Sequence, residues 1–209
     1  MSSASGGAVG RPRRLDPESE QRRILDSALA VMKRNGYADA SVADILEHAE
    51  LSTRSFYRHF QSKDELLCAV YRRDAERAAE RVDERTAQEK APLDALLAWI
   101  DEVLSFWFDR RKAERVAVLG SEGARRAAGY EEATREGARL LTAPLIRVLQ
   151  AGTADGSFPD ARPELDARTI HAIALGITGQ LGETGLAEEA ARAQILRFVL
   201  PPLGVRTAI

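Results

Sequence analysis

Apolar residues recur every three or four positions along almost the whole chain, and this spacing restricts the fold more than any other feature. The first run lies between Ile24 and Met32. It follows Asp16-Pro17-Glu18, an acid suited to cap a helix, a proline suited to its first position and an early glutamate. No stretch alternates apolar and polar residues with the period of two that marks a half-buried strand. The sequence therefore predicts an all-α protein of about nine helices.

Short helices are predicted near the amino terminus. Gly36 is expected to end the first helix, and Ser41 with Asp44 forms a relative of the capping box that opens the second. Ser52 caps the third helix, and Ser62 opens a fourth that runs to about residue 88. The second and third helices have only about two turns each, and a joint of three or four residues connects them. This arrangement is typical of a helix-turn-helix, whose second helix enters the major groove of DNA.

The segment LSTRSFYRHFQSK, residues 51–63, contains no acid, although the chain carries 30 basic and 32 acidic residues. Phe56 and Phe60 are four residues apart and share an inward face, while Arg54 and Arg58 share an outer one. Lys63 stands at the start of a helix, where a cation opposes the macrodipole unless a phosphate binds there. Each polar residue alone fits an ordinary solvated surface. Together, on a two-turn helix after a short turn, they predict contact with double-stranded DNA.

The segment GYADASVADILEHAELSTRSFYRHFQSKDELL resembles the DNA-binding domain of the TetR (tetracycline-repressor-like) family of bacterial regulators, over about residues 20–68. The resemblance implies an N-terminal three-helix DNA-binding domain, followed by a larger helical bundle that dimerises and binds a small-molecule effector. It places phosphate contacts at Ser41, Ser52, Tyr57, His59 and Lys63. It places base contacts at Thr53, Arg54 and, in part, Tyr57.

Three residues depart from the family pattern. Glu50 replaces the usual turn glycine, which predicts a non-glycine residue at positive φ at a cost on the order of 1 kcal/mol. Arg54 occupies a position often held by glycine and could bind guanine through two hydrogen bonds. Leu46 replaces a small alanine, which predicts a slightly wider separation of the two short helices.

The predicted domains are a disordered basic arm over residues 1–14, a helix-turn-helix domain over 15–62 and an effector-binding and dimerisation domain over 63–209. The arm is either a tail without function or a further contact with DNA. The resemblance implies a homodimer through the last two helices, about residues 164–200. Two recognition helices must lie roughly 34 Å apart to bind a palindromic operator, and a rigid dimer supplies that spacing.

The segment WIDEVLSFWFDRRK, residues 99–112, suggests where an effector could bind. Trp99, Val103, Phe106 and Trp107 form an aromatic and apolar stripe that is either core or one wall of a cavity for an apolar or amphipathic effector. His171 is either a polar contact in that cavity or a structural residue.

Four glycines recur every third residue near the carboxyl end, at positions 176, 179, 182 and 185. A phosphate-binding loop is one interpretation, but no strand precedes them and the lysine of such a loop is absent. Close helix packing is the favoured interpretation, because glycine admits close approach of another backbone.

Composition restricts the remaining function classes. The net charge of −2 argues against a protein that coats nucleic acid, and the single cysteine provides no disulfide framework or zinc cluster. The three histidines form no metal-binding pair four residues apart, and no nucleophile elbow occurs. We therefore expect no enzymatic activity, no cofactor and no metal. No run is long enough to span a membrane and no signal peptide is visible, so a cytoplasmic location is expected.

The sequence thus predicts a homodimeric repressor that a small effector releases from its operator. The alternative is an effector-independent architectural or adaptor protein that binds DNA.

Overall fold

The computed structural model describes residues 16–179 and 185–205, which form ten α-helices and one 3₁₀ turn, with no strand in these two ranges. The predicted arm over residues 1–14 lies outside them. The helices are α1 (Pro17–Asp39), α2 (Val42–Ala49), α3 (Thr53–His59), α4 (Lys63–Ala87), α5 (Pro92–Phe108), α6 (Arg110–Leu119), α7 (Glu122–Arg125), α8 (Tyr130–Asp155), α9 (Pro163–Gly179) and α10 (Glu188–Val199).

Local capping explains where the first four helices begin. In each case the side chain before the helix accepts a hydrogen bond from the backbone amide three residues later, which satisfies one of the free amides of the first turn. The second helix has a complete capping box, because Asp44 also accepts from the amide of Ser41. The four predicted caps are thereby confirmed: Asp16, Ser41, Ser52 and Ser62.

Two glycines set helix boundaries in this structure. Gly36 adopts φ 80° and ψ 160°, so the regular helical backbone of α1 stops there as predicted, and the last residues of α1, up to Asp39, follow this kink. Gly129, at φ 82°, separates the four-residue α7 from α8. The short α7 accounts for ten described helices where about nine were expected.

The first hydrophobic core joins α1, α2 and α3 to the beginning of α4. Phe56 and Phe60 are buried in it, as predicted, with 0% and 3% of their surface exposed. Leu66 and Val70 of α4 belong to the same core, together with residues of α6 and α7 such as Leu119. The first core therefore extends past residue 62, and the division of the chain at that residue stays a prediction.

The second core is built around α5, with α4, α8, α9 and α10 packed against it. Trp99 and Ile100 of α5 are fully buried there. A Cβ atom added at Gly152 would lie 2.0 Å from Cδ2 of the buried Phe158, so the close approach of this ring requires glycine. None of the described helices is both long and apolar enough to cross a membrane.

Candidate nucleic-acid interface

The turn between α2 and α3 depends on the unusual backbone of Glu50. This residue adopts φ 52° and ψ 42°, the left-handed conformation, and it is the only non-glycine residue at positive φ in the described ranges. The prediction made from the missing turn glycine is confirmed. The amide of Leu51 donates to the carbonyl of Leu46 at 3.1 Å, and the Glu50 carboxylate accepts from Arg23 at 2.5 Å. These contacts fix the angle at which α3 leaves α2.

The outer face of α3 carries side chains suited to the surface of DNA. Thr53 and Arg54 are exposed in its first turn, and Tyr57 is 63% exposed. The ring of Tyr57 packs edge-to-face on buried Phe56 at a centroid distance of 5.3 Å, which restrains the exposed side chain. The first amides of a helix lack intrahelical acceptors, so the start of α3 also favours an anion. The face presents donors for both bases and phosphates.

Ser41 and Ser52 are both exposed N-caps that flank this face. The Ser41 hydroxyl donates to the Asp44 carboxylate at 2.7 Å and accepts from the Asp44 amide at 3.1 Å. The hydrogen bonds from the Ser41 hydroxyl and amide hold the pKa of Asp44 below its ordinary value. The two serines thus lie at the starts of α2 and α3, where helix amides and hydroxyls occur together.

Lys63 does not have the free ammonium expected of a cation at a helix start. Its Nζ atom donates to the backbone carbonyls of Tyr37, Ala38 and Ala40 at 3.0, 3.1 and 3.0 Å. The ammonium also lies 4.5 Å from the centre of the Tyr37 ring. Carbonyls at the end of α1 therefore compensate the charge in this structure, and the phosphate contact of Lys63 stays a prediction.

His59 is likewise turned away from solvent, with only 10% of its side chain exposed. Its Nε2 atom lies 3.3 Å from Oε2 of Glu20, and Arg58 donates to the same oxygen at 3.0 Å. The sequence analysis did not anticipate this contact, because the acid lies 39 residues before His59. The sequence could have indicated that Glu20 is buried, because it lies four residues before Ile24 and therefore on the same, buried face of α1.

The residues expected to line an effector cavity are packed as core in this structure. Trp99, Val103 and Phe106 are buried, Trp107 is half-buried, and His171 is 7% exposed. The Trp99 indole donates to the Leu141 carbonyl at 3.0 Å, and its ring meets that of His171 edge-on. Burial lowers the pKa of His171. The structure brings the Trp99 and His171 side chains together inside the second core.

Two surface clefts occur elsewhere in the described residues. One of about 190 Å³ lies between the end of α4, the start of α5 and the second half of α8, beside Thr86 and Pro144. The other, of about 280 Å³, lies along α1 beside Arg22 and His48. Neither is lined by the predicted cavity residues. No group of three potential metal ligands occurs within residues 16–179 and 185–205.

The outward faces of α9 and α10 expose apolar side chains. Leu165, Leu175 and Phe198 are 51%, 40% and 52% exposed. Within the described residues, a Cβ atom added at Gly176 or Gly179 would meet no atom outside its own helix within 4 Å. In the part of the chain that the structure describes, these two glycines therefore do not allow another helix to pack closely. Gly182 lies outside the described residues.

Known proteins match both the sequence and this architecture. The sequence profile for bacterial regulatory proteins of the tetR family matches residues 24–70, which include α2, the turn and α3. The transcriptional regulator UidR of Escherichia coli K12 is 25% identical over 197 residues, covering 92% of this chain and 96% of UidR. The transcriptional repressor KstR of Mycolicibacterium smegmatis is 33% identical over 63 residues, 30% of this chain and 31% of KstR.

A solved structure shows the same fold over nearly the whole chain. The transcriptional regulator FadR of Bacillus subtilis, crystallised with stearoyl-CoA, superposes with a TM-score of 0.72 at 17% identity. The match covers 87% of this chain and 98% of FadR. The match therefore includes the second, larger group of helices as well as α1, α2 and α3.

Proposed function

Because this chain belongs to the TetR family of bacterial regulatory proteins and is a transcriptional regulator rather than an enzyme, we propose that it acts as a homodimeric repressor of a palindromic operator. One observation carries the proposal. The left-handed turn at Glu50 presents the exposed face of α3, with Thr53, Arg54 and Tyr57, away from the core that buries Phe56. A helix presented in this way fits the major groove.

The proposed contacts divide by chemistry. Arg54 contacts a base edge, with guanine as its preferred partner, and Thr53 and Tyr57 contribute to base contact. The hydroxyls of Ser41, Ser52 and Tyr57 bind phosphates, as do the helix-start amides beside the two serines. His59 and Lys63 remain proposed phosphate contacts, but each would have to exchange protein acceptors for phosphate: Glu20 for His59, and three carbonyls for Lys63.

The homodimer is proposed to form through the outward faces of α9 and α10. Leu165, Leu175 and Phe198 would be removed from water there, and Gly176 and Gly179 would allow a partner helix to approach closely. The two recognition helices of such a dimer would meet successive major grooves on one side of the DNA.

Release by a small apolar or amphipathic effector completes the proposal. FadR, with the same fold, was crystallised with stearoyl-CoA, a ligand with a long apolar chain. In this chain an effector would have to separate the packed Trp99, Phe106 and His171 side chains to make room, and its differential affinity for the open state would then drive release. The effector-independent alternative is favoured by one observation, the closed packing of that same stripe.

Selection of bound fragments from sheared genomic DNA tests the proposal. Wild-type protein and Tyr57→Ala are compared at near-physiological salt, and each recovered fragment is titrated with candidate effectors. We expect the wild type to select one or a few palindromic sites that Tyr57→Ala does not enrich. Fragments without a shared motif would contradict the proposed operator binding. Operator binding that no apolar or amphipathic compound changes would favour the effector-independent alternative.

A further inference from the structure

A buried acid lies directly behind the proposed DNA-binding helix. Glu20, in the first turn of α1, is 4% exposed. One carboxylate oxygen, Oε2, lies 3.0 Å from the Arg58 guanidinium and 3.3 Å from Nε2 of His59. The other, Oε1, accepts from the Ser55 hydroxyl at 3.5 Å. Three α3 side chains within one turn and a half thus converge on one α1 carboxylate.

The Glu20 carboxylate determines where the Arg58 guanidinium lies. It follows Arg54 by four residues, so the two arginines lie on the same flank of α3. Arg54 is exposed and extends from the face proposed to meet DNA. Arg58 keeps 35% of its side chain exposed, but its guanidinium is paired to Glu20. A small rearrangement of the unpaired side chain would carry its charge to the same phosphates that α3 approaches.

We propose that Glu20 sets the DNA specificity of this regulator by holding Arg58 away from the phosphate backbone. The inference rests on the proposed DNA binding. Contacts between cations and phosphates carry no sequence information and strengthen binding to every DNA equally. A second free arginine on α3 would raise affinity for random DNA and thereby occupy the protein at competing sites. Glu20 removes that contribution while leaving Arg54 available for base contact. It is a positioning residue and does not itself touch DNA.

The test measures how binding to a random-sequence duplex depends on salt, with Glu20→Gln, Arg58→Gln and the double variant Glu20→Gln/Arg58→Gln. Glutamine keeps the size of Glu20 and one acceptor oxygen but removes the charge. Each phosphate contact adds about −0.9 to the slope of log K against log salt concentration. We expect Glu20→Gln to steepen the slope by about 0.9 per bound subunit, and the double variant to return to the wild-type slope. Arg58→Gln alone is expected to leave it unchanged.

Glu18→Gln is the matched control, because Glu18 is exposed in the same first turn of α1 and its loss changes the net charge equally. A steeper slope in Glu18→Gln as large as that of Glu20→Gln would overturn the inference, since general charge would then explain both. A shallower slope in Arg58→Gln would also overturn it, because Arg58 would already contact phosphate. Wild-type protein that binds neither random nor genomic DNA would refute the proposed function and this inference together. Binding with equal slopes for all variants would refute this inference alone.

Discussion

The Nζ atom of Lys63 lies 3.0 Å from the carbonyl oxygen of Ala40, the residue that follows α1. With the carbonyls of Tyr37 and Ala38, this contact joins the first residue of α4 to the end of α1. The two joined ends enclose α2, the turn and α3 between them. The lysine thus closes the helix-turn-helix as a structural unit, whatever it contacts on DNA.

Lys63→Ala is therefore expected to lower the free energy of unfolding by roughly 1–2 kcal/mol, because three hydrogen bonds from a charged donor are lost. Urea unfolding measures the change. Lys90→Ala removes an exposed lysine near the start of α5 and should change stability by no more than about 0.5 kcal/mol. Equal effects of the two substitutions would show that the three carbonyl contacts contribute nothing.

The left-handed backbone of Glu50 predicts that two substitutions at this residue affect stability differently. Glu50→Gly relieves the backbone cost, about 1 kcal/mol, and loses an ion pair with a carboxylate side chain that is 80% exposed, worth about 0–1 kcal/mol. Glu50→Ala loses the ion pair and keeps the backbone cost. We expect the glycine variant to be the more stable of the two by about 1 kcal/mol in thermal unfolding. Equal stability would contradict the assignment of strain to this residue.

Burial of His171 predicts how stability depends on pH. Its pKa is lowered from the ordinary 6.5, so the unfolded chain binds a proton near pH 6.5 while the folded chain does not until a lower pH. The resulting loss of stability accumulates as the pH falls from about 6.5 to the lowered pKa, at no more than about 1.4 kcal/mol per pH unit. His171→Leu should flatten this part of the profile, measured by urea unfolding between pH 7.5 and 5. His48→Gln, at an exposed histidine, is the control, and an equal flattening there would contradict the assignment.

The outward face of α9 predicts the effect of a charge on assembly. Leu175→Glu places a carboxylate on the proposed interface in each protomer and should convert the dimer to monomers in sedimentation velocity at micromolar concentration. Gln88→Glu adds the same charge at the exposed end of α4 and should leave the dimer intact. A wild-type monomer, or a Leu175→Glu dimer, would refute the proposed interface.

Local rules were sufficient to predict much of the fold. Each of the four N-caps is a serine or aspartate directly before a run with helical spacing, and its side chain can reach the amide three residues later. The conformation of Glu50 follows from its place in the turn between two short helices. The N-caps and the turn conformation can both be predicted from a few neighbouring residues. The short α7 was missed because a helix of four residues is too brief to show the helical spacing of apolar residues.

Partners distant in sequence explain what could not be predicted at the site. Lys63 binds carbonyls 23 to 26 residues earlier, and His59 faces an acid 39 residues earlier. Helical periodicity places a side chain on a face but does not name the group opposite it. The stripe of Trp99 and Phe106 shows the same limit, since its spacing fits a cavity wall and a core equally well.

The most direct test of the account compares Arg54→Ala with wild type on a selected operator and on random DNA. Arg85→Ala, at an exposed arginine in the last turn of α4, is the matched control. A base contact is worth about 1–3 kcal/mol of discrimination. We therefore predict that Arg54→Ala lowers the ratio of operator to random affinity by roughly tenfold per half-site, while Arg85→Ala preserves that ratio. An equal loss of affinity on both DNAs would contradict the claim that α3 uses this residue to recognise sequence.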